Sequence, residues 1–162
     1  MKPSELSKEL RESQSPEMKA RRTLIALSLL GVGIGKFVTL YQTGIIKKLP
    51  DPPIPIFDSN KVNASDYAYK RFATPDAALM IITYATTAWL ASAGREERAT
   101  KNPLWVKAMF AKILLDCATN VKLGTEEYAE NKKLCFYCQS ATLISFISLF
   151  VAWPEFKKSL GK

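Results

Sequence analysis

The chain has 162 residues, enough for one compact domain, with a net charge of +8, no histidine and three cysteines. The missing histidine excludes Ser-His-Asp and Cys-His hydrolases, which lack their base. The few cysteines cannot complete a four-ligand structural zinc site, so no metal is expected. Although 48% of the residues are hydrophobic and mean hydropathy is near zero, the apolar residues are bunched and the charges lie between the bunches.

Residues 1–22 read as a polar, charged tail. Ser15-Pro16-Glu17 is a helix start, with Ser as cap, Pro at the first helical position and Glu favouring the positive helix end. Thr23 to about Ile46 is the first candidate span, long enough for a bilayer core of ~30 Å. It is preceded by Lys19, Arg21 and Arg22 and is expected to be an uncleaved anchor, since no small-residue cleavage site closes a short apolar core. Gly31 and Gly35 share one helix face and permit a close helix contact. The string Gly31-Val-Gly-Ile-Gly-Lys36 is no phosphate loop: the glycine spacing is one short, and Phe37 stands where Ser or Thr should hold magnesium.

Residues 47–72 form a long polar connection. Leu49-Pro-Asp-Pro-Pro-Ile-Pro cannot be regular helix or inner strand, and Val62 to Phe72 suits a short helix or half-helix. Ala73 to about Ser92 is the second span, with Thr74 as cap, Pro75 at the first helical position and Asp76 in the first turn. Gly94 to Pro103 reads as a short charged turn.

Leu104 to Leu123 is the third and weakest span because it carries Lys107, Lys112, Asp116 and Lys122. Lys112 and Asp116 are four apart and share a helix face, so they are expected to pair. Charges inside a span face the bundle interior or a cavity, which brings a Lys36–Asp116 contact within reach. Cys117 reads as a small buried hydrophobe. Gly124 to Lys133 is a second polar connection, Leu134 to Trp153 is the fourth span, and Pro154 ends the run. Lys157, Lys158 and Lys162 form a basic tail.

Basic residues flanking apolar runs point to membrane lipid. No nucleic-acid module is recognisable, and no nucleic-acid partner is expected. Four spans place both termini on one side. The excess of Lys and Arg there, Lys2 and Lys162 included, favours termini inside. The Cys135 end of the last span then faces the outer, oxidising compartment.

Cys135-Phe136-Tyr137-Cys138 heads the fourth span. A pair at this spacing cycles between dithiol and disulfide, and a helix N-terminus stabilises a thiolate through its positive end. A structural disulfide, or two idle buried thiols, is the alternative reading of the same residues.

The layout resembles the vitamin K epoxide reductase family. Three features carry the likeness: four helices with a long first outer loop, the stretch from Asp58 to Ala77 running into the second helix, and Cys135-Phe-Tyr-Cys138-Gln-Ser-Ala141. The resemblance implies a helical bundle around a quinone co-substrate, with Cys138 beside the quinone and Cys135 exchanging with an incoming thiol, as from a thioredoxin-like protein. Thr142, four residues past Cys138 on the same face, is then a candidate hydrogen-bond donor to a quinone oxygen. The family also implies a second cysteine pair in the loop. Here Phe57 lies near one expected position and Ala64 at the other.

The expectation is an all-α integral membrane four-helix bundle. It comprises a tail (1–22), a membrane domain (23–156, with the loop at 47–72 between its first two helices) and a basic tail (157–162). The expected location is a bacterial inner membrane with cytoplasmic termini. Two functions remain open: thiol–disulfide exchange coupled to a quinone through Cys135 and Cys138, or a catalytically degenerate accessory subunit of a larger membrane complex.

Overall fold

A computed structural model describes residues 3–161. Lys2 and Lys162, counted above toward the inner side, lie outside the described residues. The described residues form seven α-helices and one short 3-10 turn (Asp66–Ala68), with no strand. The helices are α1 (Pro3–Glu12), α2 (Pro16–Gln42), α3 (Ser59–Asn63), α4 (Asp76–Ser92), α5 (Arg98–Lys101), α6 (Pro103–Asn131) and α7 (Phe136–Ser159). The four long ones pack in a closed circuit: α2 on α4, α4 on α6, α6 on α7 and α7 on α2.

Among the described residues, α2 and α7 are the two helices long and apolar enough, by length and composition, to cross a membrane. The second expected span is shortened to the 17 residues of α4. Phe72 and Ala73 hold positive φ angles of 56° and 51°, a left-handed backbone that no L-residue keeps inside a helix. The helix therefore starts at Asp76, with Pro75 as the capping residue and no side-chain cap of its own. Gln42 of α2 does the capping instead. Its Oε1 accepts the Ala77 N–H at 3.2 Å, and its Nε2 donates to Asp76 Oδ1 at 2.8 Å.

The start of α2 is as predicted: Ser15 caps it by accepting the Met18 N–H. Gly31 lies against the Tyr84 ring, and Gly35 against Ile81 and Ala77, so the small residues do set the α2–α4 approach. All three glycines of the 31–36 string lie within the helix. The residues before it are less free than a tail, for residues 3–12 form α1, whose Glu9 pairs with Arg95.

The polar stretch from Gly124 to Lys133 is a correction to the sequence reading, because α6 runs through it to Asn131. Helix-spaced Lys122 and Glu126 support this extension. It ends at Lys132, whose φ of 54° is a left-handed helix cap. The Gly94–Pro103 turn contains α5. Pro154 does not end the last helix, which continues to Ser159.

Two basic residues, Arg21 of the flank before the first expected span and Arg98 of the charged turn, are interior. Arg21 is fully buried and donates to the carbonyls of Ala91, Ala93, Gly94 and Arg95. It thereby supplies partners for the unpaired C-terminal carbonyls of α4. Arg98 donates to Leu90 O and Ala93 O and forms a bidentate pair with buried Glu155, at 2.8 and 2.9 Å. The apolar cluster of Leu24, Leu90, Met109, Phe110, Ile113, Cys117 and Ala152 fills this half of the molecule. Cys117 is thus the small buried hydrophobe expected.

Candidate functional site

At the opposite end the loop returns over the head of α7. Phe57 and Leu134 form an isolated parallel bridge, with Leu134 N donating to Ile56 O at 2.9 Å and Asp58 N to Leu134 O at 3.0 Å. Tyr137 donates to Pro50 O at 2.6 Å. The Pro-rich segment cannot pair with itself in regular structure, so its backbone carbonyls are met by side chains from α7 and its approach.

Cys135 is the capping residue of α7. Its Sγ accepts the Cys138 N–H at 3.3 Å and the Asn63 Nδ2–H at 3.2 Å. Ser59 Oγ accepts the Phe136 N–H at 2.9 Å, and Glu127 Oε1 accepts the Cys135 N–H. Donors that every helix N-terminus leaves unpaired thus converge on a sulfur, a hydroxyl and a carboxyl. The arrangement suits a thiolate at Cys135, which gains two donors and the positive helix end. Asn63 is held in turn: its Nδ2 donates to Ser59 O, and its Oδ1 accepts from Gln42.

The two cysteines face different surroundings. Cys135 is 0% exposed, sealed under Val62 and Tyr67. Cys138 opens into a cavity of about 220 Å³ between α4, α6 and α7. Its walls include Leu79, Met80, Thr83 and Tyr84 of α4, Asp116, Thr119, Asn120, Leu123 and Glu127 of α6, and Gln139 and Thr142 of α7; Tyr67 and Arg71 close its loop end. Thr142 lines this cavity but its hydroxyl donates to Cys138 O at 2.9 Å, so a ligand oxygen would compete with its own helix.

Lys112 and Asp116 pair as expected, at 2.5 Å. Both are turned onto α4: Lys112 Nζ donates to Thr83 O and Thr87 Oγ1, and Asp116 Oδ1 accepts from Thr83 Oγ1. Lys36 is exposed on α2, and Asp116 takes these partners in its place. In the loop, Ala64, at an expected cysteine position, points to solvent. Its neighbour Asn63 is the residue that reaches Cys135.

Glu127, Asn63 and Asn120 escaped sequence reasoning. A signal existed for two of them: Asp116, Asn120 and Glu127 recur at helical spacing on α6 and line one cavity. Reading residues 124–133 as a loop hid it. Glu127 is 2% exposed, and burial raises its carboxyl from the ordinary carboxylate range to about 8, against the lowering effect of the Cys135 N–H. Among the described residues, no group of three His, Cys, Asp or Glu side chains is placed to hold a metal ion.

The chain is thus a helical scaffold that carries a Cys-x-x-Cys pair between a covering loop and a cavity. The sequence model of the vitamin K epoxide reductase family matches residues 22–153, and the chain belongs to that family. Membership suggests a thiol oxidoreductase-type function; members of the family generally use a quinone as co-substrate and are membrane-associated. No curated protein and no solved structure matches the chain.

Proposed function

We propose that the protein is a membrane thiol–disulfide oxidoreductase that passes electrons from a thiol to a quinone through Cys135 and Cys138. The observation that carries this reading is the cavity beside Cys138. A disulfide kept only for structure needs no open space next to it, whereas a quinone ring needs a largely apolar slot with a few polar groups. Leu79, Met80 and Leu123 supply the apolar walls, and Asn120, Gln139 and Thr142 supply the polar groups.

In this reading α2, α4, α6 and α7 all cross the bilayer, with Cys135 at the outer end and the termini cytoplasmic. The apolar windows of α2 and α7 are mostly exposed rather than packed, unlike the core helices of a soluble protein. Leu29, Leu30, Ile82, Leu115, Leu143 and Phe150, drawn from all four long helices, are also exposed. Lipid is the solvent that suits such a surface. The inward-turned Lys112–Asp116 pair spares α6 its most costly contact with hydrocarbon.

Two electrons would enter from a dithiol, either a small molecule or a thioredoxin-like protein, by exchange with the Cys135–Cys138 disulfide. With no cysteine in the loop, the donor attacks directly, which requires Ser59 to Asn63 to lift from Cys135. The same seal is what favours the second reading, an accessory subunit that has kept the scaffold and lost turnover. One experiment separates them: purified protein is given a dithiol and a short-chain quinone, and hydroquinone formation is followed in wild type and in Cys138→Ala. Turnover in the wild type only is expected. Equal rates would end the enzyme reading.

A further inference from the structure

We propose that Glu127 is the proton-exchanging residue of this site, carrying a proton from the Cys138 thiol to the quinone oxygen nearest it. The inference rests on the quinone-linked reading above. It starts from three observations. Glu127 lines the same cavity as Cys138. Its side chain is almost fully buried, yet among the described residues no Lys or Arg forms an ion pair with it. Its position is fixed from the redox pair itself, because Oε1 accepts the backbone N–H of Cys135.

A buried carboxyl without a cation is costly to keep ionised. A purely structural acceptor for the Cys135 N–H needs no acid, since an amide or a hydroxyl would serve. What a carboxyl adds is a transferable proton at the place where the chemistry needs one. Reduction of a quinone by a dithiol breaks two S–H bonds and forms one S–S bond. Two electrons leave the sulfurs, and the quinone gains them with two protons to become a hydroquinone. Glu127 gives its proton to the near oxygen and recovers one from the Cys138 thiol. The proton of Cys135 leaves to solvent, and the far oxygen takes its proton from solvent.

The titration of Glu127 near neutral pH fits this work, because an acid that gives and regains a proton does so best when its affinity lies close to the ambient pH. Other titratable groups share the cavity: Tyr67 and Arg71 from the loop, Asp76 and Tyr84 from α4, Asp116 from α6 and Cys138 from α7, while Cys135 lies sealed behind it with its N–H on Glu127. Arg71 is paired with Glu126 and Asp76, and Asp116 with Lys112. Among the carboxyls here, Glu127 alone has no cation beside it.

The test uses the full chain with dithiothreitol and a short-chain quinone, measuring kcat and KM across pH 5 to 9 for wild type, Glu127→Gln, Glu127→Asp and Cys138→Ala. Glu127→Gln keeps a carbonyl for the Cys135 N–H, so thermal unfolding near that of the wild type is expected, with kcat down about a hundredfold and KM little changed. The wild-type rate should fall as Glu127 ionises, and that limb should vanish in Glu127→Gln and persist in Glu127→Asp. Wild-type kcat and an unchanged pH profile in Glu127→Gln, with Cys138→Ala silent, overturn the role of Glu127 and leave the quinone reading standing. A wild type no faster than Cys138→Ala sinks that reading and this proposal together. Equal loss in Glu127→Gln and Glu127→Asp, with early unfolding of both, assigns Glu127 a structural role and overturns the proposal.

Discussion

Gly31→Ala and Gly33→Ala are the same chemical change, two residues apart on α2, with opposite expected signs. A Cβ built at Gly31 meets Tyr84 Cγ and Cδ1 at 2.6 Å and Cδ2 at 2.7 Å, whereas one at Gly33 meets nothing within 4 Å. Carbon atoms rest at about 3.5–4.0 Å, so the Tyr84 ring must retreat by roughly 1 Å. It has little freedom to do so. Tyr84 is 4% exposed, and its hydroxyl contacts Ala141 O at 2.5 Å and Ser145 Oγ at 2.9 Å. A shift of that size strains or breaks both contacts, at about 1 kcal/mol each, on top of roughly 1–3 kcal/mol for overpacking. Better helix propensity returns at most about 1 kcal/mol. Gly31→Ala should therefore destabilise by about 2–5 kcal/mol, while Gly33→Ala should be neutral or stabilising by up to about 1 kcal/mol. Thermal unfolding of the detergent-solubilised protein reads both, at roughly 2–4 °C per kcal/mol for a chain of this size. A Gly31→Ala protein melting at or above Gly33→Ala would refute the packing argument. Because Tyr84 also lines the cavity, Gly31→Ala should raise the KM for quinone.

Glu155→Ala leaves Arg98 buried without its carboxylate and should cost about 3–5 kcal/mol. The double variant Arg98→Met/Glu155→Leu should recover only part of this in the same melting assay, because the carbonyls of Leu90 and Ala93 then lose their donor. Glu127 gives stability a pH dependence of definite sign. In the unfolded chain it ionises near 4.5, but in the fold only near 8. The native state thus binds the extra proton between these values, and stability falls as pH rises through that window, by at most about 1.4 kcal/mol per pH unit. Melting temperatures at pH 5 and pH 8 should show the loss in the wild type and a smaller one in Glu127→Gln. Equal slopes would show that Glu127 is not the group responsible.

Some features of the chain were legible because they are local. The Ser15 cap, the helical spacing of Gly31 and Gly35, the i,i+4 relation of Lys112 and Asp116, and the placement of Cys135 at a helix head all follow from a few neighbouring residues. The errors arose where distant groups decide. Residues 124–133 look like a loop, yet the helix persists there, with Glu127 accepting the Cys135 N–H and Leu123 O accepting the Tyr67 hydroxyl at 2.7 Å. The start of α4 moved to Asp76 because its cap comes from Gln42, 34 positions earlier than Asp76.

By itself, then, the sequence determined that this is a helical chain of the vitamin K epoxide reductase family, with apolar helices and one thiol pair at a helix N-terminus. Only the tertiary structure decided that the two sulfurs have different surroundings, Cys135 sealed beneath Asn63, Val62 and Tyr67 and Cys138 open to a cavity. It also decided that Arg21 and Arg98 are buried among the last carbonyls of α4 rather than laid on lipid. The reason is physical. Charge, spacing and propensity act over a helical turn and can be read along the chain. Burial and hydrogen-bond partners depend on which distant segment arrives, and for Cys135 that segment begins more than seventy residues away.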